Sequence, residues 1–355
     1  MYRYPHAEFV LESRPLDVLV LRGDVVESRH RAQAVVVRVD RSGAEHVHVY
    51  GEPGAGAFFR SALKPFQALP VVEDGAAEAF GFSAEHLALA CGSHGGRPEH
   101  LERVREMLAA LGVAEDALHC GPHTPYDDEA AMAIACDHRR PGRLHNNCSG
   151  KHVAMLSLVA HRGWDPDGYW RFDHPLQRRI RASLAGWIDS EPDELRWETD
   201  GCGVPTPFLP LREMAVAYAR LACRAAGGDG GASAVVSAMM KHPELTSSPG
   251  REALAVMGAG AGRLLAKEGA EGILCVAAPD AGWGLAVKVE DGSRRAVGPA
   301  LVAVLGDLNL LTDDERRALA PLAEPPLVGT TGEKVGSIRG MTGTVDGRVT
   351  VEDVS

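Results

Sequence analysis

Hydrophobic and polar positions change their rhythm twice along this chain. The runs Val35-Val36-Val37-Arg38-Val39 and His46-Val47-His48-Val49-Tyr50 are rich in β-branched residues. The turn-forming stretch Asp40-Arg41-Ser42-Gly43 lies between them, so the pattern predicts a hairpin. From about residue 66 to 264 the spacing becomes helical. In Pro98–Leu111 the residues Leu101, Val104, Leu108 and Leu111 form one stripe, and Leu211–Ala226 repeats the pattern. Strand signals return in Gly272-Ile273-Leu274-Cys275-Val276-Ala277 and Leu285-Ala286-Val287-Lys288-Val289, on either side of the turn composition Pro279-Asp280-Ala281-Gly282. Val345-Asp346-Gly347-Arg348-Val349 carries an Asp-Gly hairpin signal. The expected fold is therefore α/β of the α+β kind. An antiparallel sheet is built from both chain ends and flanked by helices, with a mainly helical lobe inserted between them. The sheet lobe is expected at about 15–65 and 265–355 and the helical lobe at about 66–264, within a single domain. Gly227-Gly228-Asp229-Gly230-Gly231 reads as a link between two helices, and Gly258-Ala259-Gly260-Ala261-Gly262 as a helix-packing or loop segment.

Composition narrows the functional classes. The 355 residues are 45% hydrophobic and 24% charged, which is ordinary for a soluble globular protein. The formal net charge of -11 repels phosphate backbones and argues against nucleic acid as a partner. No apolar run reaches the length of a membrane span, and the first residues lack the apolar core of a signal peptide. The expected location is the cytoplasm, with no membrane partner. The seven cysteines are odd in number and contain no C-x-x-C, so most should be buried thiols.

Candidate chemistry begins at Arg60-Ser61-Ala62-Leu63-Lys64-Pro65. Residues three apart share one face of a helix, so Ser61 and Lys64 can bring a hydroxyl to an amine. A serine needs a base to become a nucleophile, and lysine serves only when neutral. Moving a lysine pKa from about 10.4 toward 7 is worth roughly 4–5 kcal/mol. Burial or a second cation must supply that shift, so the motif predicts a closed site and another basic residue. Pro65 places Ser61 at the extreme start of a helix, where free N–H groups can hold an oxyanion. Ser and Lys three apart also occur by chance in most long chains, with a capping serine and a solvated lysine.

Four further segments concentrate polar groups. Cys91-Gly92-Ser93-His94-Gly95-Gly96 sets a serine among glycines, where backbone can approach a ligand or simply turn. His145-Asn146-Asn147-Cys148-Ser149-Gly150-Lys151-His152 precedes an apolar helical stretch and can equally be a polar cap. Asp200-Gly201-Cys202-Gly203-Val204-Pro205 is a Gly/Pro loop holding an acid and a thiol. Lys267-Glu268-Gly269 leads toward the strand at Ile273, where a lone lysine would ordinarily be exposed. Two thiolates, Cys148 and Cys202, with one more donor could hold zinc; two buried structural cysteines are the simpler alternative.

Together these segments, in this order, resemble the L-asparaginases of the Rhizobium etli type, from about residue 15 to the C-terminus. The resemblance implies a fold similar to serine β-lactamases and glutaminases. It implies two Ser–Lys pairs, Ser61 with Lys64 and Ser93 with Lys267, a zinc site at Cys148, Lys151 and Cys202, and a homodimer. The expected substrate is L-asparagine, hydrolysed to L-aspartate and ammonia through an acyl-enzyme. Arg60, Asp200, His152 and Asn146 are the expected substrate contacts. Zinc is expected to position the substrate, because thiolate ligands weaken it as a Lewis acid. Two rival chemistries are a zinc-dependent amidohydrolase using metal-bound water and a β-lactamase-like serine hydrolase. Against the latter, Glu268 stands where β-lactamases carry the Thr of K-T-G, and no S-D-N triplet occurs.

Overall fold

The computed structural model describes residues 13–39 and 45–343. The expected turn at 40–43 and the expected hairpin at 345–349 lie outside the described residues. The strands are β1 (Leu16–Arg22), β2 (Val25–Val39), β3 (Glu45–Tyr50), β4 (Gly56–Phe58), β5 (Arg196–Thr199), β6 (Pro205–Pro210), β7 (Leu265–Gly269), β8 (Ile273–Ala278), β9 (Trp283–Val289), β10 (Pro326–Val328) and β11 (Lys334–Thr342). Eight of them form one antiparallel sheet in the order β10-β11-β1-β2-β9-β8-β7, with β3 also on β2. Strands β1 and β2 from the front of the chain lie between strands from its other end, β10 and β11 on one side and β9, β8 and β7 on the other. Long β2 makes this possible: its first half pairs with β1, and its second half pairs with β3 and β9.

The apolar runs of this sheet are continuous because both faces are covered. Val35, Val37, Cys275 and Ala277 join a large core with the middle helices. Their neighbours Ala34, Val36, Leu274 and Val276 join a second core with helices Glu252–Gly260 and Val297–Asp307. Helix Leu211–Ala226 lies so close to β9 that a Cβ on Gly284 would stand 2.2 Å from the Ala215 carbonyl oxygen.

The fold class read from the sequence is the one observed, including helices Pro98–Leu111 and Leu211–Ala226 and the turn between β8 and β9. Two details differ. The middle region contains a second sheet, β4-β6-β5, whose central strand carries Pro205, Pro207 and Pro210. Proline removes ladder donors and so masks the strand signal. The C-terminal region, expected as sheet, also contributes helices Val297–Asp307 and Asp313–Ala318. None of the described helices is long and apolar enough to cross a membrane.

Candidate active site

Three chain segments converge on Ser93. Helix Lys64–Glu73 starts at Lys64, and Pro65 occupies its first turn, where a missing N–H costs nothing. Lys64 is wholly buried. Its ammonium donates to Ser93 Oγ at 3.0 Å, to Asn147 O at 3.3 Å and to Gly92 O. Lys267 projects from β7, equally sealed from water. Its ammonium donates to Ser93 Oγ at 2.9 Å and to the Glu268 carbonyl at 2.9 Å. Ser93, 2% exposed, thus bridges two buried amines. It sits on the loop after helix Ala84–Ala90, and its N–H donates to Thr246 O at 2.9 Å. Gly92 is needed there, since a Cβ would stand 2.5 Å from Leu245 O.

The electrostatics follow from burial. Burial pushes Lys267 down to about 8, Lys64 and Arg251 push it the same way, and Glu268 pushes back. Burial opposes ionisation of Glu268 too, but Lys267 and Arg251 outweigh it and hold the carboxyl at about 2. Burial drives the neighbouring Cys91 thiol up to about 12, which keeps it inert.

The pairing expected from the sequence differs from the one observed. Ser93 meets Lys267 as expected, but Lys64 meets Ser93 as well, and Ser61 hydrogen-bonds neither amine among the described residues. The reason is donor count. Lys64 has three N–H groups, and Ser93, Gly92 and Asn147 take all three. Ser61 lies in the 3-10 turn Arg60–Leu63 and is half-buried, the more accessible of the two hydroxyls. Arg60, just before it, holds the left-handed backbone at φ 50, a conformation that costs a non-glycine residue about 1–3 kcal/mol. Its N–H donates to Thr206 Oγ1 at 3.0 Å, and its guanidinium pairs with Asp200 at 2.6 Å.

Asp200 opens the tight turn between β5 and β6, closed by Asp200 N–H to Val204 O at 2.9 Å. That turn presents Cys202 to Lys151, whose ammonium donates to its sulfur at 2.9 Å. The Cys148 thiol donates to Cys202 and, ahead of burial, which opposes it, and of Lys151, which assists, brings Cys202 down to about 5. Cys148 is correspondingly raised. Burial pushes Lys151 down, but Cys202, Cys148 and Asp200 together raise it. His152, alongside, donates or accepts through Nδ1 with Tyr169 Oη at 2.6 Å, and its buried Nε2 has no partner. Burial keeps that imidazole neutral, well below its usual range. Asn146 lies on the same loop as Cys148. Its amide donates to Gly121 O at 2.8 Å and accepts from Cys148 N–H at 2.9 Å, so it orders the loop that carries Cys148.

No group of three His, Cys, Asp or Glu side chains among the described residues is arranged for a metal. Two thiols and an amine do meet, and the neutral His152 imidazole is close enough to feel Lys151 and Cys148. Thiolates and a neutral imidazole are zinc ligands, while Cys148 and Lys151 would each have to give up a proton to join them. A cavity of about 460 Å³ adjoins the same turn at Gly203, lined by His119, Trp170 and Trp197; none of the Lys64–Ser93–Lys267 group lines it.

Sequence reasoning missed Ser247 and Arg251, which hold Glu268 from the loop before helix Glu252–Gly260. Their Ser-Ser-Pro-Gly context signals only a turn.

The pattern of the L-asparaginase II family matches residues 18–340. No curated protein matches the chain. Among solved structures, Mglu in its native form at high salt aligns at 17% identity, covering 79% of this chain and 63% of its own, with a TM-score of 0.35. SurE aligns at 15% identity, 78% and 72% coverage and a TM-score of 0.39. A Bacteroides dorei protein provisionally described as a β-lactamase aligns at 12% identity, 78% and 94% coverage and a TM-score of 0.38. The chain thus spans about 63% of the length of that Mglu structure. At these scores the assignment rests on the family match alone.

Proposed function

The chain belongs to the L-asparaginase II family, and from that premise we propose that it hydrolyses the side-chain amide of L-asparagine by serine–lysine catalysis. The observation that carries this reading is a buried hydroxyl, Ser93, bridging two sealed amines at 3.0 and 2.9 Å. Such a bridge is a proton path. Lys267, with its pKa near 8, takes a proton from Ser93, and Ser93 takes one from Lys64. Ser61, which holds no hydrogen bond to Lys64 at rest, then turns onto the neutral amine and passes its proton to it as Ser61 Oγ attacks the amide carbon. The C–N bond breaks, the relay returns a proton to the nitrogen, and ammonia leaves a β-aspartyl ester on Ser61. Water hydrolyses that ester and aspartate departs. Accessibility favours Ser61 over Ser93 as nucleophile, because the attacking oxygen must meet the substrate.

Arg60 and Asp200 pair at the start of that same turn and offer opposite charges to a zwitterion. In the proposal Arg60 receives the α-carboxylate and Asp200 the α-ammonium. His152 Nε2 is the remaining free polar contact. Cys148, Lys151 and Cys202 would hold zinc, which when bound supplies a fixed positive charge for orienting the substrate. Assembly as a homodimer belongs to the same proposal, and light scattering tests it.

Ammonia release from L-asparagine and L-glutamine, with and without chelator, tests the reading. The wild type should release ammonia from asparagine. Ser61→Ala, Ser93→Ala and Lys267→Met should each lower turnover by about 10²–10⁴-fold. Loss on chelation with full turnover by Ser61→Ala would instead favour a metal-activated water.

A further inference from the structure

The buried acid next to Lys267 has no part in the chemistry described so far. Glu268 is almost wholly buried. Its Oε1 accepts from Ser247 Oγ at 3.0 Å and from Arg251 Nε at 3.2 Å, and lies 3.3 Å from the Lys267 ammonium. Its second oxygen is buried without a partner. A buried carboxylate normally satisfies both oxygens, and leaving one idle is costly, the more so for a charged group. Packing alone gives no reason for a charge here, since an apolar side chain would fill the position without this cost.

The geometry points to Glu268 as a positioning residue for Lys267: clamped by Ser247 and Arg251, it holds the Lys267 ammonium against Ser93 and sets the pH at which that amine can accept a proton. The proposal rests on the asparaginase reading for its catalytic meaning. The charged groups facing Lys267 are Lys64 from helix Lys64–Glu73, Arg251 from the loop after Thr246, and Glu268 itself. The thiols of Cys91 and Cys275 also face it, and burial keeps both protonated. Tyr218, from helix Leu211–Ala226, faces Glu268 and is raised well above its usual range by burial. Glu268 is therefore the one anion among these groups. It works against burial and the two cations, which together would make Lys267 neutral at lower pH.

Glu268→Gln keeps the shape and removes the charge. The acid limb of kcat/KM should then move down by about 1–3 pH units, the shift an opposite charge at this distance produces. Glu268→Asp keeps the charge and should leave the limb near its wild-type position. Arg251→Met removes a cation and should move the limb up. A direct NMR titration of the Lys267 Nζ, assigned by its loss in Lys267→Arg, should follow the same three directions. A limb and an Nζ titration unmoved in both Glu268→Gln and Arg251→Met would overturn the proposal. So would equal losses in the Gln and Asp variants without any shift. The Nζ titration needs no substrate. An absence of amide turnover in the wild type would therefore overturn the asparaginase reading while the Glu268–Lys267 coupling was still being measured.

Discussion

A lysine sealed from water is useful as a base only where its charge is held near balance. Lys267 meets that condition, with burial and two cations on one side and Glu268 on the other. The sign of its pH dependence follows. Below about 8 the amine is protonated and the relay is blocked; above it the amine can accept. Asparagine turnover should therefore rise with pH through about 8, and a pH-rate profile flat across that value would contradict the assignment of Lys267 as acceptor. Ser93→Ala should abolish the rise along with most of the rate. At this scale the sequence was partly legible. Ser61 and Lys64 stand three apart, and that spacing announces a hydroxyl near an amine. It does not announce that the carbonyls of Gly92 and Asn147, 28 and 83 residues away, use the remaining donors of Lys64. Donor competition from distant backbone leaves no trace in local spacing.

Elements bring these residues together only where they pack closely. Gly92 lets the Ser93 loop pass against Leu245, and Gly284 lets helix Leu211–Ala226 rest on β9. The two glycines support different predictions. Gly284→Ala puts a methyl group 2.2 Å from Ala215 O and should destabilise the fold by about 1–3 kcal/mol, read from urea unfolding. Gly92→Ala displaces the loop that carries Ser93, so turnover should fall by a larger factor than stability predicts. An active Gly92→Ala enzyme with wild-type kinetics would show that Ser93 need not be held so tightly. The strands of β2, β8 and β9 were readable because continuous β-branched runs have few alternative fates. β6 was not, because three prolines in six residues contradict the signal a strand usually gives. Lys267 was expected ahead of a strand and lies inside β7, where covering of both faces buries it.

The whole molecule explains why residues 64 and 267 can meet at Ser93. β1 pairs with β11 and β2 with β9, so the sheet closes only when both ends of the chain are present. Gly340 of β11 lies against helix Val297–Asp307, where a Cβ would meet Pro299 O at 2.1 Å. Removing everything after residue 323 should strip β1 of β11 on one edge, leaving it only β2, and prevent cooperative unfolding, as followed by circular dichroism. This long-range closure was legible in outline, from two β-rich ends around a helical middle. The placing of β1 and β2 between two sets of later strands was not, since pairing partners far apart in sequence carry no local mark.

Serine–lysine catalysis at this site requires an acyl group on Ser61. Rapid quenching of the enzyme with L-asparagine, followed by peptide mass analysis, measures this directly. A β-aspartyl adduct on the peptide containing Ser61 is the predicted result. An adduct on the Ser93 peptide instead, or full turnover by Ser61→Ala with no adduct at all, would contradict it.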